Sequence, residues 1–489
     1  MKNIAAGFML AATLAAEAAQ TNAPAARRMS LPDCLAEALQ HNFDVRVERY
    51  VPQLSLYNLH AAYAGYDPSF NFSGKHNHSD AGGPAVTGIP FTEYNYFDSS
   101  IGGSLPFGTT YTLDGTVQKN NNSNTGGNSG GSVGVTLTQP LLQGLLTDNT
   151  RKLIQVAKNR VQYSEQQLRQ QFITTVSAVE NAFYELIYAR ENVKVQQQAL
   201  ALAQTQLQDD RKRMLVGTVA ELGGTIEQDE AQVAQNRANL IAAQFTLATD
   251  ENALKNLITD NYSQWHEVDI EPQSTLEATR QFFDVQGSWS KGLVQRPELL
   301  QSKLDLEQQG ILLKYDRNQV LPVLDLVASY GYNGGGAGFG DAFDQYGTAN
   351  RPFYSYGGQF SIPLGNIRAR NAYKADQAIE QQALLKLKQL EQNVMVQIDN
   401  AVKQARSAWE SVDATRKSRL YAEAALKAEQ GKYAAGKSTT FTVLQLQNNL
   451  TSARSQEIRA LANYNEALAN LAQQEGSTLE RHKLDLQVK

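Results

Sequence analysis

The sequence predicts an α+β membrane protein in which strands of membrane-barrel type alternate with very long helices, laid out as two internal repeats. Three observations predict it. Segments that alternate apolar with small polar residues occur twice, around 70–138 and 324–362. Each block runs into a long proline-free stretch with helical apolar spacing. Each of those stretches meets a glycine turn and is followed by a second helical pattern.

Composition narrows the class. The chain has 489 residues and a net charge of −5, so it carries no basic footprint for nucleic acid. No run of about 18 apolar residues occurs, so no helix is expected to cross a membrane. Lys2, the apolar run Ile4–Ala16 and the triplet Ala16-Glu17-Ala18 read as a secretory signal peptide over residues 1–18. The single cysteine, Cys34, has no internal disulfide partner and reads as a small buried apolar residue.

Leu31 to Ala64 is helical in pattern, with Pro52 marking a kink or break, and Asp67-Pro68 ends it. Strands are then expected within 67–140. Phe70 and Phe72 share one face, as do Phe97 and Ile101, then Tyr111, Leu113 and Val117, then Val133, Val135 and Leu137. The connections read long (79–93), short (Pro106-Phe107-Gly108) and long (Asn120 to Gly131). That asymmetry suits an outer-membrane barrel with long outer loops and short inner turns.

Leu168, Phe172, Val176, Val179, Phe183 and Leu186 step by four, four, three, four and three. This predicts one helix from about 150 to 215, roughly 100 Å long at 1.5 Å per residue. With its partner it makes a helical hairpin over 145–259, tipped at 215–218, whose second helix opens at the capping-box pattern Thr225-x-x-Gln228. Residues 260–290 read as irregular and 297–318 as a helix. Strands return over 322–363, with Gly334–Gly340 as an external loop. A second helical hairpin spans 366–474, tipped at 433–438, and a polar tail covers 476–489.

The two halves follow one plan, 19–259 and 291–475. Pro140 and Pro363 stand 223 apart, and the tip glycines Gly217 and Gly436 stand 219 apart. Pro68 and Pro322 stand 254 apart, so the first copy carries about 30 extra residues, an additional β-hairpin at about 94–120.

With these elements the chain resembles the TolC-type family of outer-membrane efflux and export proteins. The residues that carry the resemblance are Ala36-Glu37-Ala38-Leu39-x-x-Asn42, Leu137-Thr138-Gln139-Pro140-Leu141-Leu142, Phe360-Ser361-Ile362-Pro363-Leu364 and the two glycine tips. The resemblance implies a homotrimer in which each chain gives strands to one outer-membrane β-barrel and helices to a hollow α-helical barrel in the periplasm. Relatives commonly give four strands each; the extra hairpin predicts six here, for eighteen. The implied partners are outer-membrane lipid, a periplasmic adaptor (membrane fusion) protein and an inner-membrane transporter, for drug efflux or type I secretion. No cofactor, metal or catalysis is expected.

The resemblance also assigns residues. Leu215, Val216, Gly217 and Thr218, with Ala434, Ala435 and Gly436, correspond to adaptor-contact tips. Tyr433 stands where relatives hold a gate-bonding tyrosine, and Phe441, Thr442 and Gln445 stand at constriction positions where relatives often carry aspartates. Charge near the first tip would come from Glu221, Glu227 and Asp229 instead, with Glu227 assigned to the gate. An apolar and amide constriction selects less for cations.

Two enzyme-like signals are weaker than this frame. Gly431 to Ser438 spells the phosphate-loop pattern G-x-x-x-x-G-K-[ST], but helices lie on both sides where a strand should precede it. His76-x-His78 would share a strand face without a third metal ligand. The alternative outside the channel class is a periplasmic coiled-coil scaffold without a barrel.

Overall fold

A computed structural model of the chain describes residues 26–80, 91–122, 126–215, 225–348 and 350–484. They fall into two compact units. One holds the described residues up to Glu48, Arg169–Arg296 and those from Asn393 onward; the other holds Arg49–Leu168 and Pro297–Gln392.

From the N-terminal side, β1 (Arg27–Met29) leads into α1 (Leu31–His41), α2 (Phe43–Glu48) and α3 (Tyr50–Tyr63). Ser30 starts α1 with a capping box: the Asp33 carboxylate accepts from both the Ser30 backbone N–H and its hydroxyl. The stretch expected as one interrupted helix is therefore three, broken at Asn42 and Arg49. Pro52 sits in the first turn of α3, where its missing N–H breaks no helical bond. Cys34 is buried and unbridged, and burial pushes its thiol up to about 12.

The strands β2 (Ser69–Asp80), β3 (Phe91–Ser104), β4 (Thr110–Asn122) and β5 (Gly126–Pro140) come next. They are followed by α4 (Asn149–Leu215), α5 (Thr225–Ile258), α6 (Tyr262–Trp265), β6 (Ile270–Pro272), α7 (Val285–Gln295) and α8 (Pro297–Gln319). β7 (Val323–Gly336), α9 (Phe339–Thr348), β8 (Pro352–Ser361), α10 (Ile367–Ala434), α11 (Thr440–Glu475) and α12 (Thr478–Arg481) complete the chain.

Six strands form one antiparallel sheet in the order β2-β3-β4-β5-β7-β8. Residues 94–120 lie inside it, in β3 and β4 and the turn between them. Register turns the alternation of each strand into two faces. One row across all six strands reads Phe70, Ile101, Leu113, Val135, Tyr330 and Tyr354. The row beside it, on the opposite face, reads Ser69, Gly102, Thr112, Thr136, Ser329 and Ser355. A slip of one residue in any pairing would exchange the faces. Within one chain the sheet is open, with β2 and β8 at its edges.

Four sequence expectations are corrected here. The segment Asn120 to Gly131 is not a long loop. β4 runs to Asn122 and β5 starts at Gly126, with Asn120 opposite Asn128. Cross-strand pairing overrides the low strand propensity of Asn, Ser and Gly. The segment Gly334–Gly340 is not an external loop either: β7 continues through Gly336 and α9 begins at Phe339, with Ala342 fully buried. Asp341 reaches back to the Gly338 N–H, so the start of α9 is closed by its own carboxylate. Residues 260–290 are only partly irregular, since they hold α6, β6 and the start of α7, and β6 pairs in parallel with β1. The described part of the expected polar tail, up to residue 484, instead folds back after Glu475: Thr478 and Leu479 are buried and His482 bonds the buried Glu180 at 2.8 Å.

The expected stripe on α4 is buried: Leu168, Phe172, Val176, Val179, Phe183 and Leu186 all lie inside. Val394, Ile398, Val402, Ala405 and Val412 do the same on α10. The unlabelled stretch 273–284 is strapped onto α10 and α11. The Tyr464 hydroxyl donates to the Thr279 carbonyl at 2.6 Å, Asn465 to Glu277 and Arg406 to Phe283. α4 and α10 have 67 and 68 residues, and their successors α5 and α11 have 34 and 36.

α11 ends at Gly476, whose φ of +72° an L side chain resists. A Cβ there would stand 3.1 Å from the Gln295 carbonyl carbon. Gly476→Ala is expected to cost roughly 1–2 kcal/mol, measured as a lower melting temperature of the helical circular-dichroism signal with no change in fold.

Candidate functional site

The tip between α10 and α11 is built by two helix-capping devices. At the end of α10, Gly436 adopts φ +71°. The Lys437 N–H bonds the Lys432 carbonyl at 2.9 Å and the Gly436 N–H bonds the Tyr433 carbonyl at 3.0 Å, the paired bonds of a Schellman turn. The Ala435 N–H returns to Gly431. These amides are thus occupied by helix carbonyls. They do not converge on an empty anion site, which is what a phosphate loop requires. The start of α11 is capped by Thr439, whose hydroxyl accepts from the Thr442 N–H.

Tyr433 points inward from the last turn of α10 and packs with Leu202, Leu426, Val443 and Leu450. Its hydroxyl lies 2.6 Å from Asp210 Oδ1 and 2.8 Å from the Thr440 hydroxyl. Thr440 also donates to Asp210 Oδ2 at 3.2 Å, and Gln206 donates to the same oxygen at 2.9 Å. The Arg213 guanidinium lies 4.7 Å from the centroid of the Tyr433 ring. One carboxylate on α4 therefore ties the end of α10 to the start of α11.

Asp229, on the second turn of α5, is 1% exposed, and Asp210 is equally buried. Neither Asp229 oxygen receives a hydrogen bond from a described residue. Burial first, and then the Asp210 carboxylate, push its carboxyl up from the ordinary value of 3.8 to about 7. Below about pH 7 Asp229 therefore carries its proton beside the buried Asp210. Farther along the hairpin, burial followed by Glu185 likewise pushes Glu466 up to about 7, while Arg459 grips Glu185 through two bonds of 2.8 and 2.6 Å.

The residues singled out from sequence divide clearly. Tyr433 joins the polar cluster, and Thr442 serves the cap of α11. Phe441 and Gln445 are exposed on α11, and Ala434, Ala435 and Gly436 are exposed at the tip. Leu215 ends α4 with 84% of its surface exposed. Val216, Gly217, Thr218 and Glu221 lie outside the described residues. Glu227 is exposed on the first turn of α5, so the acidic group that enters the cluster from α5 is Asp229. Asp210 was missed by sequence reasoning. Its signal was slight: an acidic pair, Asp209-Asp210, closing a Gln- and Ala-rich run. Among the described residues no group of three or more His, Cys, Asp or Glu is arranged to hold a metal. His76 and His78 are exposed and bonded to Asn95 and Asp80.

Two outcomes follow for the tip. Tyr433→Phe removes a bond to a charged acceptor worth about 1.5–3 kcal/mol; amide exchange in the last turns of α10 is expected to quicken by about tenfold or more. A carboxyl whose folded pKa is raised stabilises the packed state fully below its unfolded value, near 3.8, and that contribution is lost as pH rises through about 7. Exchange protection of the tip, corrected for intrinsic rates, is therefore expected to fall between about pH 4 and pH 7, and Asp229→Asn to flatten that dependence.

Comparison with known proteins places this geometry in a family. No curated protein matches the sequence. The outer membrane efflux protein family model matches residues 108–259 and 289–477. Among solved structures, the CmeC outer membrane channel of Campylobacter jejuni superposes with a TM-score of 0.67 at 16% identity, covering 92% of this chain and 86% of that one. The outer membrane protein VceC of Vibrio cholerae gives 0.66 at 17% identity, with 91% and 96% covered. The open-state MtrE outer membrane channel of Neisseria gonorrhoeae gives 0.64 at 15% identity, with 92% and 89% covered. At these identities the structures speak for the fold, while the family model spans most of the sequence. The chain belongs to the outer membrane efflux protein family, transport proteins of the outer membrane that extend into the periplasm.

Proposed function

We propose that the chain is the outer-membrane duct of a tripartite efflux or type I secretion system, acting as a homotrimer. The observation that carries this reading is the two-faced sheet with unpaired edges at β2 and β8. Lipid tolerates no open sheet edge, because each unpaired N–H or C=O costs several kcal/mol there. The six strands alternate in direction, so β8 of one copy would meet β2 of the next antiparallel. Three copies would close a barrel of eighteen strands, apolar rows outward and Ser/Thr rows around a wet lumen. The hairpin β3–β4 is then a full part of the wall.

In this reading the paired helices α4–α5 and α10–α11 are the two repeats that reach into the periplasm. Their tips, Leu215–Thr218 and Ala434–Gly436, meet the adaptor protein, and an inner-membrane transporter supplies the cargo. Tyr433 and Asp210 hold the tip in its closed packing. Phe441, Thr442 and Gln445 follow the tip where the constriction is expected, with Glu227 as the nearby acidic group. The duct needs no cofactor and performs no catalysis.

The test begins with fractionation: a trimer that resists dissociation until heated, found in outer membranes, supports the duct, and a soluble periplasmic species refutes it. In planar bilayers, trivalent cations are expected to block the native channel weakly, whereas Gln445→Asp, which adds one carboxylate per copy, should bring block at about tenfold lower cation concentration. Strong block of the native channel would remove the constriction assignment.

A further inference from the structure

The helix α9 is not part of any plan described above. It lies on the apolar face of the sheet, near the β4–β5 end. Glycines clear the way for it. A Cβ on Gly131 or Gly334 would collide with Tyr346, and one on Gly336 with Asp341. The Tyr346 hydroxyl donates to the Thr116 carbonyl at 2.9 Å, anchoring the helix to β4.

Between α9 and the sheet lies a hollow of about 280 Å³. Its floor is one register row, Phe72, Ser99, Gly115 and Val133, in which the two small residues sit between two large ones. The next row supplies Phe97 beside Val117. Phe343 and Tyr346 form the roof. The polar atoms around it are already engaged. The Tyr346 hydroxyl is used by Thr116, the Ser99 hydroxyl bonds the Gly115 carbonyl at 3.4 Å, and the Asp98 carboxylate accepts from the Tyr96 hydroxyl at 3.3 Å. A hollow without convergent polar groups stays dry and takes an apolar guest. Its volume is on the order of nine liquid waters. That is below the usual span of a small-molecule pocket and fits a length of hydrocarbon chain.

The rim decides the source of that guest. Phe72, Phe97 and Phe343 are 66%, 39% and 56% exposed. They continue directly into the exposed Ile101, Leu113, Val133 and Tyr330 of the same face. We propose that α9 and the Phe72–Ser99–Gly115–Val133 row form a site for one acyl chain of an outer-membrane lipid, bound at the lipid-facing wall. The proposal rests on the reading that this face of the sheet turns toward the membrane. α9 then acts as a clip over a single chain. Its carboxylates Asp341 and Asp344 are exposed.

The test uses the whole protein, extracted from outer membranes, stripped with detergent and titrated with dibromostearoyl phosphatidylglycerol, whose bromines mark it in native mass spectra. The native protein is expected to take up one such lipid per chain, saturably. Gly115→Leu, which fills the floor, should reduce the bound fraction at least fivefold. Phe343→Ala, which removes a half-exposed roof ring and fills nothing, should reduce it likewise, so the result does not depend on one variant folding. Equal uptake by all three, or non-saturating uptake expected of annular lipid only, overturns the site while leaving an outer-membrane trimer intact. If the same preparation fractionates as a soluble species, the membrane reading fails and the site falls with it.

Discussion

Register is the constraint on which the rest of the sheet depends. Six strands from two distant parts of the chain are paired so that Phe70, Ile101, Leu113, Val135, Tyr330 and Tyr354 stand in one row. Every apolar row above and below inherits its face from that alignment. The pairing of β5 with β7 matters most, because it joins segments separated by α4 to α8 and has no short turn to guide it. What it aligns is chemical: Val135 against Tyr330, and Thr136 against Ser329. The side chains on the two faces thus do for register what a hairpin turn does elsewhere.

The helical tip depends on a different economy. Backbone groups at the end of α10 are satisfied by the turn itself, through Gly436, which leaves the side chains free for another task. Tyr433, Thr440 and Gln206 all spend their donors on Asp210. A buried carboxylate with three donors is well held. A second buried carboxylate with none, Asp229, is not, and its environment makes it take a proton. The tip is therefore stable in a way that responds to pH, because one acidic residue is desolvated beside another. Carboxylates matched with amides or hydroxyls alone would not behave so.

The phosphate-loop pattern at 431–438 illustrates why a motif is not a site. The same residues that would cradle phosphate, glycines with free amides, are here the residues that end a helix. The deciding fact is where the amides point, and at this tip they point back to Gly431, Lys432 and Tyr433.

Much of the architecture was legible in the residues. Apolar spacing along α4 and α10, alternation along the strands, the extra hairpin and the glycine at the second tip are all local patterns, and local patterns report which face of an element must be buried. The failures share one cause. Residues 120–122 and 126–131 of the Asn/Ser/Gly stretch are strand, α9 covers the sheet after Gly336, β1 and β6 pair across more than two hundred residues, and Asp210 meets Tyr433 and Asp229 from three different helices. None of these has a local signal strong enough to predict it. Polar, glycine-rich segments take the conformation their neighbours impose, because they contribute little burial of their own. The sequence by itself determined which faces are apolar and where helices turn. Only the tertiary structure decided which strands continue, which helix lies on the apolar face and which carboxylates are buried side by side, since those depend on partners brought together from far along the chain.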